Sequence, residues 1–394
     1  MQPAQQTRLA VITTHPIQYY APWFRYIAAN APAKLKVFYL WNPAATTLHD
    51  PGFDRDIAWD VPLLEGYEYE FVPNISRQPG SNHFGGIDNP ELLLRLGSFR
   101  ADAALLIGYR YKSMQQLIFK RSRSFPLLLR GDSHRLGTKN IRKFSLSPKR
   151  LAIAHIFRRF AAFLYVGKAN REYLRLHGAP EKKLFFAPHA VDNERFFLTA
   201  EQRSQAMAWR KELGISDQSL LIMFAGKFEQ KKRPLDLLQA FAQLRQRGVA
   251  LVFVGAGILE PALRQAASQL ENVFFAPFQN QSLMPRAYAA ADLFVLPSRG
   301  NQETWGLSVN EALSATKPVI VSDHVGCGPD LVFPYENGLV FEAGNVASLT
   351  KALTEALIDR ERLVWWGKKG RQIVANYDFA HATQGLNQAL EFVA

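Results

Sequence analysis

The chain has 394 residues, and 47 lysines and arginines against 34 aspartates and glutamates give it a formal net charge of +13. Its 48% hydrophobic and 21% charged content excludes a disordered or fibrous chain, and at roughly 100–200 residues per domain the length implies two or three domains. The single cysteine, Cys327, excludes an internal disulfide framework and a cysteine-based zinc cluster, and no apolar run approaches the ~18–20 residues of a membrane-spanning helix.

The chain opens with a polar stretch, Met1 to Thr7, followed by the short apolar run Leu9–Ile12. This is too short for a signal peptide, so a cytoplasmic protein is expected, soluble or peripheral at the inner face of a membrane. Short apolar runs predict strands over Leu9–Thr13, Leu35–Leu40, Asp102–Ile107, Pro126–Leu129, Phe163–Val166 and Leu184–Ala187. After the polar, helical stretch Asn193–Leu213 they resume over Leu220–Ala225, Ala250–Val254, Val273–Phe275, Leu293–Pro297 and Pro318–Val321. Amphipathic stretches fall between and after these, at Pro234–Arg247, Glu260–Gln269, Leu307–Ala315, Val346–Ile358, Arg360–Ala375 and Phe379–Val393. Strands apolar throughout, separated by helices of ~10–15 residues, indicate parallel sheets covered on both faces. The expected architecture is α/β, with two doubly wound, Rossmann-like domains facing each other across a cleft. They span residues 1–192 and 193–378, and a last helix over 379–394 packs back on the first domain. Ligands of such sheets bind beyond the carboxyl ends of the strands, which places the site in that cleft.

The charge is concentrated. Residues 100–183 hold 20 basic and 4 acidic residues, a net +16, which leaves −3 for the rest of the chain. Within this segment Leu151–Tyr165 sets Arg158-Arg159 among aliphatic and aromatic residues, directly after the basic stretch Asn140–Arg150. This pattern fits either a core helix with a solvated edge or a basic amphipathic surface lying on an anionic membrane. No DNA- or RNA-binding signature accompanies it, so nucleic acid is not an expected partner.

Three loops carry chemistry. In the first, an apolar strand ends at Gly226, and Lys227, Lys231, Lys232 and Arg233 precede Pro234, a favoured first helical position. Cations beside a backbone that a ligand can approach closely suit a diphosphate, although the Walker P-loop pattern is absent. In the second, Val254-Gly-Ala-Gly257 follows the next strand without the third glycine of a dinucleotide fingerprint. In the third, the strand ending at Pro297 leads through a polar loop with Glu303 to a helix that starts near Gly306 and carries Glu311. The N–H groups of that helix end favour an anion, and the two carboxylates can accept from sugar and ribose hydroxyls.

Glu303 and Glu311 have the Glu-x(7)-Glu spacing of the retaining family 4 glycosyltransferases, which have the GT-B fold, and the neighbours resemble that family in the same register. Ala291–Ser298 precedes the pair, Pro318–Asp323, Val325–Asp330 and Asn337-Gly338 follow it, and Ala187–Asp192 is similar to the family's hinge segment. Gly226-Lys227 with Lys232 looks like its Gly-Arg…Lys diphosphate loop, with a lysine that keeps the charge and loses the bidentate fork. The resemblance covers about residues 184–345.

The resemblance implies a retaining, metal-independent glycosyltransferase with no cofactor beyond its UDP- or GDP-linked sugar donor. It acts on a glycan or lipid-linked hydroxyl in cell-surface polysaccharide or glycolipid synthesis. Glu303 contacts the donor sugar, Glu311 the ribose, and Lys227 and Lys232 the diphosphate. Gly226, Trp305, Gly306, Leu307 and Ser308 complete the donor site. On the acceptor side the expectation names His15 and Gln18 after the first strand, Asp132 or His134 near the reaction centre, and Gly85 and Gly86 in a bordering loop. The alternatives are a GT-B-fold nucleotide-sugar epimerase or phosphorylase, and a non-catalytic protein that binds anionic surfaces.

Overall fold

The structure, a computed structural model, describes residues 6–42, 49, 50, 53, 55, 56, 58–121, 125–138, 147–300 and 302–394. The strands of the first half are β1 (Thr7–Thr13), β2 (Ala33–Tyr39), the short pair β3 (His49–Asp50) and β4 (Arg55–Asp56), β5 (Glu68–Phe71), β6 (Ala103–Ile107), β7 (Leu127–Gly131), β8 (Ala162–Tyr165) and β9 (Leu184–Phe186). Its helices are α1 (Ala21–Asn30), α2 (Leu92–Phe99), α3 (Lys112–Lys120), α4 (Pro148–Phe157) and α5 (Lys168–Leu176). Seven strands form one sheet in the order β5-β2-β1-β6-β7-β8-β9, parallel throughout. Alternate residues of β1 feed two cores: Ala10 and Ile12 pack with α2, α3 and α4, while Leu9 and Val11 pack with α1. Burial on both faces is why these strands read as unbroken apolar runs.

The second half repeats the plan. Helix α6 (Ala200–Glu212) is followed by β10 (Leu220–Lys227), α7 (Pro234–Ala242), β11 (Val249–Ala256), α8 (Glu260–Ala266) and β12 (Val273–Ala276). Then come α9 (Met284–Ala290), β13 (Leu293–Leu296), α10 (Leu307–Ser314), β14 (Val319–Ser322), α11 (Gly328–Leu331) and β15 (Gly338–Phe341). Helices α12 (Val346–Leu357), α13 (Arg360–Val374) and α14 (Phe379–Val393) close the chain. Six parallel strands run in the order β12-β11-β10-β13-β14-β15, the doubly wound order, which reverses direction between β10 and β13.

Every sequence-predicted strand is present within a few residues. The short pair β3–β4 and two strands of the large sheets escape that pattern. Glu68–Phe71 is an edge strand of alternating charged and aromatic residues, and Gly338–Phe341 is only four residues long. The stretch Asn193–Leu213 is a short 3-10 turn, Glu194–Phe196, and then α6, which starts at a reciprocal capping box between Thr199 and Gln202. Helix α14 returns to the first sheet, where Ala382, Leu386 and Ala389 are buried with Leu9, Val11 and Trp23. Gly385 permits this packing, because a Cβ there would stand 1.8 Å from the Phe186 carbonyl oxygen.

The basic segment is not one uniform face. Arg123, Lys139, Arg142 and Lys143 lie outside the described residues, and so does most of Asn140–Arg150. Arg130 is buried, Lys112 pairs with Asp88, and Arg171 and Arg175 pair with Glu181 and Glu172. Leu151–Tyr165 divides into the surface helix α4 and the core strand β8, so its apolar second half faces the sheet interior and not a membrane. Among the exposed basic residues, Lys120, Lys149, Arg158 and Arg159 lie on α3, α4 and the turn after it, with the exposed Phe119 and Leu151, while Arg100, Arg110, Lys168 and Lys182 are exposed elsewhere in the segment. Among the described residues no helix is long and apolar enough to cross a membrane.

Candidate active site in the interdomain cleft

The loops at the carboxyl ends of both sheets line one cleft of about 910 Å³. The first half contributes the loop after β1 (His15 to Tyr20), Trp23, Arg130 and Asp132, and the second contributes Gly226, Lys227, Lys231, Lys232, Gly255 and the run Glu303 to Ser308 with Glu311.

A buried polar cluster surrounds Glu303. Lys232 closes a short 3-10 turn after β10, and Arg233 behind it forks onto Asp236 at 2.8 Å, which fixes the start of α7. Lys232 Nζ then donates to Glu303 Oε2 at 2.5 Å, and the buried hydroxyl of Ser298, just past β13, donates to the same oxygen at 2.7 Å. Burial works to raise the Glu303 carboxyl, but Lys232 and Ser298 outweigh it and hold the group below the ordinary carboxylate range, so it is ionised at neutral pH.

Gly306 caps α10 in the left-handed region (φ 102°), and an added Cβ would meet Val325 and Leu296 at 3.0 and 3.1 Å. This turn brings the first N–H groups of α10 to the cleft beside Leu307 and Ser308. One turn on, Glu311 is buried. Tyr288 of α9 donates to its Oε2 at 2.8 Å, and Tyr19 of the loop after β1 donates to Oε1 at 3.0 Å. Burial pushes Glu311 above the usual carboxylate range, and the two phenols and Arg195 offset only part of that. Trp305 lines the cleft while its indole N–H is taken by Asn310 at 2.8 Å.

Asp132, just past β7, also lines the cleft. It accepts from Thr304 Oγ1 at 2.7 Å and lies 3.5 Å from His189 Nε2. Burial alone would raise its carboxyl, and the His189 and Thr304 contacts hold it below its ordinary value. Burial keeps the His189 imidazole below its usual range, hence neutral. His15 and Gln18 line the first-half wall, with His15 edge-on to Trp41 at 5.3 Å.

Two expectations do not survive. His134 does not line the cleft. Its Nδ1 accepts from the Leu136 N–H at 3.0 Å, so Nε2 carries the hydrogen and donates to the Glu303 carbonyl at 3.0 Å. With burial holding the ring neutral, His134 is a buried bridge between the two halves. Gly85 and Gly86 are also elsewhere: the Gly86 carbonyl accepts from the Asn74 side chain and the Gly80 N–H, which folds their loop back on itself away from the cleft. In the other direction, Tyr19, Tyr288, Thr304, His189 and Arg130 line the cleft without having been named as site residues, and Ser298 supports Glu303 from a buried position.

Known proteins agree with this geometry. Residues 206–373 match the family model described as glycosyl transferases group 1. A D-inositol 3-phosphate glycosyltransferase of Nocardia farcinica is 31% identical over 228 residues, 55% of this chain and 49% of the relative. A GDP-mannose-dependent alpha-(1-6)-phosphatidylinositol monomannoside mannosyltransferase of Mycobacterium tuberculosis is 30% identical over 220 residues, 53% of this chain and 56% of the relative. The chain thus spans about half the length of the curated relatives it matches. The crystal structure of Anabaena HepE in complex with UDP and glucose superposes with a TM-score of 0.70 at 17% identity, over 98% of this chain and 99% of that one. The architecture is the GT-B fold. Its second domain carries the stretch that matches the group 1 glycosyl transferase model.

Proposed function

We propose that this protein is a retaining glycosyltransferase of family 4 that moves a sugar from a nucleotide-diphosphate donor to a hydroxyl of a glycan or lipid-linked acceptor, in cell-surface polysaccharide or glycolipid synthesis. The observation that carries the reading is the Ser298–Glu303–Lys232 cluster, set beside the N-terminus of α10 in a cleft between two doubly wound domains. Relatives whose names describe sugar transfer to inositol phosphate and to phosphatidylinositol mannoside support the class of reaction.

In this reading the donor lies against the second domain. Glu311 accepts from the ribose, and the fixed carboxylate of Glu303 accepts from hydroxyls of the transferred sugar. Lys227, Lys232 and the N–H groups at Gly306–Ser308 face the diphosphate. The C1–O bond to the diphosphate breaks with its electron pair going to the departing phosphate oxygen. The acceptor oxygen bonds to C1 from the same face, and its proton passes to the diphosphate. Positive charge fixed opposite the leaving group stabilises the transition state, and no metal is needed to supply it. Asp132 borders the acceptor, and Thr304 and His189 hold its position. The exposed basic face of α3 and α4 gives a peripheral site for an anionic membrane at the cytoplasmic side.

The test is turnover with a panel of UDP- and GDP-sugars, in the presence of EDTA, with the anomeric configuration of the product read by NMR. Retention is expected, and Glu303→Gln and Lys232→Ala should each lower turnover about 10²–10³-fold. Parent-rate transfer by both variants, or an inverted product, would refute the proposal.

A further inference from the structure

Both oxygens of the buried Glu311 carboxylate are held by phenols, and the two phenols come from different domains. Tyr288 stands on α9, in the same domain as Glu311, and packs within that domain's core against Phe294 and Phe196. It supports the carboxylate from behind. Tyr19 stands in the loop between β1 and α1 of the first domain, 292 residues away in sequence, and reaches across the cleft. All three residues line it. An ionised carboxylate has about four lone-pair directions. One phenol on each oxygen fixes the plane of the group and leaves one acceptor direction per oxygen, the arrangement that two neighbouring hydroxyls need.

We infer that Tyr19 is a positioning residue that completes the ribose pocket from the opposite domain, so that nucleotide binding is coupled to the apposition of the two domains. The inference rests on the proposed role of Glu311 toward the ribose. Its chemistry is specific to a ligand bearing a vicinal diol: the diphosphate faces Lys227 and Lys232, whereas the Tyr19 hydroxyl is spent on Glu311, so pyrophosphate should not sense it. The substitution Tyr19→Phe removes one oxygen and keeps the ring. Tyr288→Phe gives the comparison within one domain, where both the nucleotide and the core are affected.

The experiment is calorimetric titration of the full chain with UDP, GDP and inorganic pyrophosphate, with compaction followed by small-angle X-ray scattering. Tyr19→Phe is expected to weaken the nucleotide that the parent binds about tenfold, within the range of a hydrogen bond to a charged group. It should reduce the nucleotide-dependent compaction and leave pyrophosphate affinity within twofold of the parent. Unchanged nucleotide affinity in Tyr19→Phe, or an equal loss for pyrophosphate, overturns the role of Tyr19 and leaves the glycosyltransferase reading standing. A parent that binds pyrophosphate but neither nucleotide overturns both.

Discussion

The two glutamates of the site are buried alike and titrate in opposite directions. Glu303 has a cation at 2.5 Å and is held low, whereas Glu311 has only phenols in hydrogen-bond contact and is pushed up. For Glu303, folding favours the ionised form. Its stabilisation is present above the unfolded-state value of about 4.3 and is lost as pH falls through the lower folded value. For Glu311 the sign reverses: the contribution is greatest below the unfolded value and is lost as pH rises through the raised folded value. Glu311→Gln should therefore stabilise the ligand-free protein at pH 7–8, with the difference shrinking as pH falls below about 4, while nucleotide binding falls. Urea denaturation at the two pH values measures this, and an equal loss of stability at both would show that Glu311 is structurally satisfied as a charge. A residue kept at a cost in stability where a ligand is to be bound is what a binding site requires.

At the scale of elements, the strand-to-helix turns decide what each loop can do, and here the sequence is legible to different depths. The apolar strands are recognisable because both faces of each sheet are buried. The Glu303–Glu311 loop is recognisable because one short turn must carry a carboxylate, a left-handed glycine and a helix start at fixed spacing. Asp132 and His134 are two residues apart after β7, and local pattern does not say which of them turns into the cleft. The answer depends on Leu136 and on the Glu303 carbonyl 169 residues away, which claim the histidine. Tyr19 is equally hidden, since its partner lies in the other domain. The turn into α10 offers a direct test. Gly306→Ala places a Cβ 3.0 Å from Val325 and demands a left-handed backbone from a residue that disfavours it. We expect a loss of about 1–2 kcal/mol in stability, and turnover lower by at least tenfold as the helix N–H groups shift from the diphosphate. Parent-like turnover in Gly306→Ala would mean that this helix end does not face the reacting group.

Over the whole molecule, most of the basic charge lies apart from the contacts that bring the two halves together. The cleft is closed by neutral and locally paired contacts: His134 to the Glu303 carbonyl, Thr304 to Asp132, Tyr19 to Glu311, and the first N–H of α5 at 3.0 Å from both Asp330 oxygens. One residue of the basic surplus joins them, since Lys168 Nζ also donates to the Pro329 carbonyl at 3.0 Å. That surplus remains on the outer side of the first domain, where Leu151, His155 and Arg158 share one face of α4, His155 stacks on the exposed Phe119 and the Arg159 guanidinium lies 5.3 Å from the Phe119 ring. Basic side chains near an anionic surface contribute about 1 kcal/mol each, so a double reversal, Arg158→Glu with Arg159→Glu, should weaken binding to phosphatidylglycerol vesicles more than tenfold. Co-sedimentation measures this. The parent should pellet with phosphatidylglycerol vesicles, not with phosphatidylcholine alone, and release as salt is raised. Both substituted residues lie outside the cleft lining, so transfer to a soluble acceptor should be unchanged by the double variant. If the parent bound neutral vesicles as well as anionic ones, or the reversal left pelleting unaffected, the surface would have no electrostatic role at a membrane. The +16 segment would then reduce to its ion pairs, among them Lys112 with Asp88, Arg171 with Glu181 and Arg175 with Glu172, and to solvated charge.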